Sequence, residues 1–146
     1  MPIHLLKLLE VEILAHALQG ETPKIVHATG GKWTFETIDL EFGELRVRLL
    51  KERGGVEILF GASQDALEWF NASETFRLLR CEVAFKDLAG AADQLPRLRH
   101  FLDAYLLTLT QLFSGARYRE TRHSLLQIRR DINDALSPLR GPPRRA

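Results

Sequence analysis

A chain of 146 residues, 45% hydrophobic and 27% charged, has the length and composition of one soluble globular domain, able to bury roughly 68–70% of its unfolded surface. One cysteine, Cys81, excludes an internal disulfide framework and points to a reducing, cytoplasmic setting, and no uncharged run reaches the ~20 residues a membrane-spanning helix needs. The net charge of +1 conceals an asymmetry: from Ser114 onward eight arginines face three carboxylates, a local +5 that leaves −4 for the remainder.

In chain order, residues 3–19 carry Leu5, Leu6, Leu9, Ile13 and Ala17 on one helical face, with Leu8, Val11, Leu14 and Leu18 beside it. The spacing predicts an N-terminal helix with a wide apolar arc. Lys7, Glu10 and Glu12 interrupt that run before a signal-peptide core could form. Gly20 suits a left-handed C-cap, and Pro23 follows soon after. A first strand is predicted over 24–28, then a turn at Gly30-Gly31 into 32–36. Trp33 and Phe35 have the wrong parity to join Ile38, which predicts a bulge near Glu36-Thr37.

The most informative stretch is 38–60. Ile38, Leu40 and Phe42 alternate with polar residues, as do Leu45, Val47 and Leu49, but with opposite parity. A two-residue hairpin loop at Gly43-Glu44 resolves the conflict, because glycine first in the loop suits a type II′ turn. Phe42 then faces Leu45, Leu40 faces Val47 and Ile38 faces Leu49 on one side. The opposite side is expected to pair Glu41 with Arg46, Asp39 with Arg48 and Glu36 with Lys51. Burial of one face enforces this register, since a one-residue slip would turn every apolar side chain to water. A second hairpin through 51–55 is expected to set Leu49 against Val56, Val47 against Ile58 and Leu45 against Phe60. Arg48 would then lie between Asp39 and Glu57, with Leu59 opposite Arg46.

After Gly61 the period changes. Asn71 followed by Glu74 resembles a capping box opening a helix over 72–80. Cys81, Val83 and Phe85 alternate like a short strand, and 88–92 loosens into a loop. Asp93 can cap a further helix bearing Leu95, Leu98, Leu102, Tyr105, Leu109 and Leu112, with Pro96 tolerated in its first turn. Ser114-Gly115 breaks it. A last helix carries Tyr118, Thr121, Leu125, Ile128, Ile132 and Ala135. Pro138, Gly141, Pro142 and Pro143 end regular structure. The expectation is one α+β domain over 1–138 and a disordered basic tail over 139–146. Its core element is an antiparallel meander of three to four strands, with the N-terminal helix and a C-terminal helical pair packed on one face.

Leu45-Arg46-Val47-Arg48-Leu49, Arg53-Gly54-Gly55-Val56-Glu57-Ile58 and Trp69-Phe70 together resemble a family of small, uncharacterised bacterial proteins. These proteins have a strand, an Arg-Gly turn, a strand and an aromatic pair. Phe101-Leu102, Leu112-Phe113-Ser114 and Thr121-Arg122 are similar to their C-terminal part, so the likeness spans about two thirds of the chain. Where those proteins have Asp after the aromatic pair, this chain has Asn71, which keeps a capping role open. The resemblance implies a binding role towards another protein, in its sharpest form an immunity-like neutralisation of a toxin. It carries over no catalytic residues.

Motifs with chemistry are few. No Walker loop, GxSxG elbow or paired cysteines occur. Thr29-Gly30-Gly31-Lys32 could cradle a phosphate, but no helix follows it and a hairpin turn suits it better. His4 and His16 would lie about 120° apart on one helix and cannot chelate one metal from it. His100 and Asp103 can be neighbours on a helix, as an acid/base or ligand pair or as an ordinary surface hydrogen bond. Cys81 beside Arg80 reads as a small buried apolar residue rather than a reactive thiol. The sequence thus predicts a non-enzyme with no cofactor, no metal ligands and no membrane partner. Its partner-binding residues would be Asp39, Glu41, Arg46, Arg48 and Glu57. The alternatives are nucleic-acid binding by the arginine-rich C-terminal helix and tail, and an enzyme with an unrecognised site.

Overall fold

Opposed parity on either side of Gly43-Glu44 resolves into a hairpin, and the sheet is built outward from it. The computed structural model describes residues 24–29, 36–52, 55–80 and 94–136. Among the described residues five strands, β1 (Lys24–Thr29), β2 (Glu36–Phe42), β3 (Leu45–Glu52), β4 (Gly55–Ala62) and β5 (Asp65–Asn71), form one antiparallel sheet in sequence order. Three described helices follow: α1 (Ala72–Leu79), α2 (Gln94–Leu112) and α3 (Arg117–Leu136). The α+β class and the meander agree with expectation, while the number of strands, five, exceeds the three to four foreseen. The expected helix over 3–19, residues 32–35 of the strand expected over 32–36, the segment 81–92 and the tail 139–146 lie outside the described residues. So do His4, His16, Cys81 and Asp93.

The β2–β3 ladder has the register that alternation dictates: Phe42↔Leu45, Leu40↔Val47, Ile38↔Leu49, Glu41↔Arg46 and Asp39↔Arg48. Gly43 takes φ +60° and Glu44 does not share it, as a type II′ turn requires. Glu36 and Lys51 also pair. Side-chain alternation, however, puts them on the side of Ile38 and Leu49, at the margin of the apolar face rather than on the opposite one. The β2–β3 ladder is regular from Glu36 onward, and the junction with 32–35 that the expected bulge was to accommodate lies outside the described residues. The β1–β2 ladder has a register shift between Ile25 and His27.

The β3–β4 register differs from expectation by two residues. Lys51 faces Val56, Leu49 faces Ile58, Val47 faces Phe60, and the ladder runs on to Glu52↔Gly55. A two-residue shift preserves the faces, so Leu45, Val47, Leu49, Ile58, Phe60 and Ala62 are all buried as alternation demands. What changes is the outer face. Arg48 lies opposite Leu59, Arg46 opposite Gly61 and Glu57 opposite Leu50, so Glu57 is not the second neighbour of Arg48.

The three helices cover the apolar face. Phe76 of α1, Leu98, Phe101 and Leu102 of α2, and Tyr118 and Leu125 of α3 join the strand residues in one buried cluster. Phe101 packs edge-on against Phe60 at 5.9 Å and tilted against Phe76 at 4.7 Å. The turn between α2 and α3 places Gly115 at φ +48°, and Thr121 Oγ1 donates to Leu112 O at 2.6 Å across it.

Candidate functional site

The outer face of the sheet, away from the helices, was expected to present alternating charges. It presents a layered assembly instead. Asp39, in the middle of β2, is only 2% exposed. A carboxylate so buried needs a counter-charge, and Arg48 supplies it through two hydrogen bonds, Nε to Oδ1 at 2.7 Å and Nη2 to Oδ2 at 2.9 Å. This hydrogen bonding raises the Arg48 guanidinium above its already high ordinary value, against the opposing effect of burial. Planar, bidentate pairing fixes the orientation of the arginine as well as neutralising the acid. Glu41 and Arg46 lie alongside in a looser pair, Nε to Oε2 at 3.6 Å, too long for a hydrogen bond, and the Arg46 Nε is buried without another acceptor. Glu57 is exposed two residues along from Leu59.

Arg48 does not end the layer. Its guanidinium lies 4.4 Å from the centroid of the Trp69 ring, a cation–π contact reaching across β4 from β5. Gly61 makes that crossing possible. A Cβ there would stand 3.0 Å from Glu68 O and 3.1 Å from a carbon of the Trp69 ring, so any side chain would lift the indole off the sheet. A glycine within an otherwise alternating strand is the sequence signal for such a close approach. Trp69 and Arg48 were therefore brought together by a residue whose meaning alternation does not register.

β5 itself is bulged. Its ladder with β4 passes from Phe60↔Phe70 to Ala62↔Asp65, so β5 spends three more residues than β4 over the same interval. The extra loop is closed by the Trp69 indole N–H, which donates to Ala66 O at 3.1 Å. Leu67 projects from it, 94% exposed. Bulges re-aim side chains; this one turns Trp69 onto the outer face while Phe70 enters the core, fully buried.

Two partly buried polar links fasten β5 to the helices. The capping box is present: Asn71 Oδ1 accepts from Glu74 N at 2.8 Å and Glu74 Oε1 accepts from Asn71 N at 2.9 Å. Glu74 is 2% exposed and is neutralised by Arg129 of α3, whose Nε and Nη2 reach its two oxygens at 2.5 and 3.1 Å. The same Nη2 donates to Trp69 O at 2.8 Å, and the guanidinium lies 5.0 Å from the Phe70 ring centroid. Hydrogen bonding to Glu74 raises the Arg129 pKa despite burial. Thus the capping residue foreseen from spacing is also a buried anion, and Arg129, grouped by sequence with free basic residues, is structural. At the other end of β5, Tyr118 Oη donates to Asp65 Oδ2 at 2.9 Å. Burial first, then this bond, raises the phenol well above its ordinary value.

Other chemistry is sparse. Among the described residues no group of three or more His, Cys, Asp or Glu side chains is placed to hold a metal, and no helix is long and apolar enough to cross a membrane. His100 and Asp103 are both exposed on α2, with Asp103 4.0 Å from Arg99 Nε. Of the five residues predicted to bind a partner, the structure joins Asp39 to Arg48 and Glu41 to Arg46, and leaves Glu57 apart. It adds Trp69, Gly61 and Leu67.

Fold and surface define an antiparallel α+β domain with an Arg–Trp layer on the sheet face turned away from the described helices. No family model, curated protein or solved structure matches the chain.

Proposed function

We propose that this chain is a non-enzymatic protein-binding module, with the outer sheet face and the β5 bulge as its working surface. The observation that carries this reading is the Arg48–Trp69 stack beside the exposed Leu67. Tryptophan and arginine dominate the energetics of protein interfaces when held rigidly beside apolar surface. Here Asp39 holds the arginine, Gly61 seats the tryptophan, and half-buried Leu50 and Leu59 lie next to them. Glu41, Arg46 and Glu57 form a charged rim suited to setting partner choice and association rate. Neutralisation of a toxin, as an immunity-like protein, is the specific form suggested by the resemblance of the strand and aromatic motifs.

The test is affinity capture from the source cell with wild type and Trp69→Ala, followed by binding kinetics on the recovered protein. Trp69→Ala should weaken binding by roughly 30-fold, the effect of one interface anchor worth about 2 kcal/mol. Arg46→Glu with Glu57→Lys should alter the association rate. Reversal of Arg48 is unsuitable, because it would set a second carboxylate against buried Asp39. Equal binding by wild type and Trp69→Ala would remove the outer face from consideration. The exposure of Arg117, Arg119, Arg122 and Arg130 on α3 favours a second reading, nucleic-acid binding. Recovery of nucleic acid, lost when these arginines are neutralised, would establish it in place of the first.

A further inference from the structure

Where the start of α3 meets the β4–β5 turn, an open cleft of about 630 Å3 is lined by Gln64, Gly115, Ala116, Tyr118, Arg119 and Arg122. We propose that this cleft binds a small phosphate-bearing molecule, with Arg119 and Arg122 gripping its anionic group. The proposal is independent of the outer-face reading, since no residue is shared.

Three observations carry it. Arg119 and Arg122 are three apart on one helix, so they are neighbours on its surface, and both line the cleft. Arg119 is exposed and makes no ion pair among the described residues. Arg122 is half exposed and lies 3.9 Å from Asp65 and 3.8 Å from Glu68. These distances exceed hydrogen-bonding range, so its N–H donors remain available to a ligand. Both residues line one cleft, and planar guanidinium groups match the oxygens of a phosphate.

The walls are also prepared. Gln64 Nε2 donates to Gly115 O at 3.3 Å, which ties the strand turn to the helix turn on either side of the cleft. Tyr118 donates to Asp65 Oδ2, and neither Asp65 nor Glu68 lines the cleft. The volume falls within the range of small-molecule sites, roughly 300–1,000 Å3. Tyr118 is the one aromatic residue in the lining and is 5% exposed, which leaves no stacking platform for a base. Recognition therefore falls on the charged group. Arg117 and Arg119 also occupy the first turn of α3, where the helix dipole disfavours cations. Their placement does not serve helix stability.

The test is a titration of the full chain with inorganic phosphate and with phenyl phosphate at constant ionic strength, followed through arginine Nε and backbone amide resonances. Saturable shifts are expected at Gly115, Ala116, Arg119 and Arg122, with Arg48 and Arg130 unmoved. Arg119→Gln should weaken binding about tenfold, the scale of one charge-assisted contact, while Arg130→Gln leaves it unchanged. Because Arg119 is exposed and makes no ion pair among the described residues, the variant should melt as wild type does. Arg119→Lys should recover part of the affinity. Shifts that never saturate, equal shifts at Arg130, or unchanged affinity in Arg119→Gln would overturn the proposal. So would a single-stranded oligonucleotide that binds far more tightly than either probe and engages Arg130 as well.

Discussion

Replacing Arg129 by Met keeps an aliphatic stem against Phe70 but removes every charged contact the guanidinium makes. Glu74, 2% exposed, would then keep only its bond from Asn71 N, and Trp69 O would lose its donor. Removing one partner of a fully buried pair costs about 3–5 kcal/mol. The Arg129 side chain is 36% exposed, so water can partly replace it, and the expected loss falls to about 2–3 kcal/mol. For a domain of this size that corresponds to a fall in Tm of roughly 10 °C. Glu74→Gln retains an acceptor for Asn71 N and isolates the charge. A double-mutant cycle of Arg129→Met with Glu74→Gln, read by urea denaturation, should give a coupling energy of about 1–2 kcal/mol. A coupling below about 0.3 kcal/mol, within the additivity expected of independent sites, would refute the view that this pair fastens α3 to the β5–α1 corner.

Val47→Asp should destabilise by several kcal/mol, because it places a carboxylate in the centre of the core. Alternation alone implies a loss under about 1 kcal/mol for Arg48→Ala, but the burial of Asp39 raises the expectation to about 2 kcal/mol; denaturant melts of both variants check the pair. Gly61→Ala should cost about 1–3 kcal/mol through overpacking and diminish the Trp69 near-ultraviolet circular dichroism as the indole leaves Arg48. At alkaline pH the folded chain keeps a proton on Tyr118 that the unfolded chain loses near its ordinary value of 10. The stabilisation is therefore full below that pH and declines above it, so wild type should lose stability faster than Tyr118→Phe as pH rises past 10.

The β2–β3 hairpin was legible to the residue because its two apolar sets have opposite parity, and only a turn at Gly43-Glu44 reconciles them with one buried face. The capping box was equally legible, since Asn71 and Glu74 meet their partners within one helical turn. The stripe through Leu98, Leu102 and Leu109 likewise announced its helix. Each is a local pattern, whose geometry is set by residues a few positions apart. The β3–β4 register lies beyond that reach: a shift of two residues leaves every apolar side chain on the same face, so alternation cannot distinguish the alternatives. β5 escaped notice because its three extra residues erase the period of two between Asp65 and Phe70. The burial of Asp39, the crossing of Trp69 over Gly61 and the union of Arg129 with Glu74 belong to the tertiary structure alone. They depend on contacts between strands and helices up to 60 residues apart. In the sequence, a charge that is buried and paired is indistinguishable from one left in water.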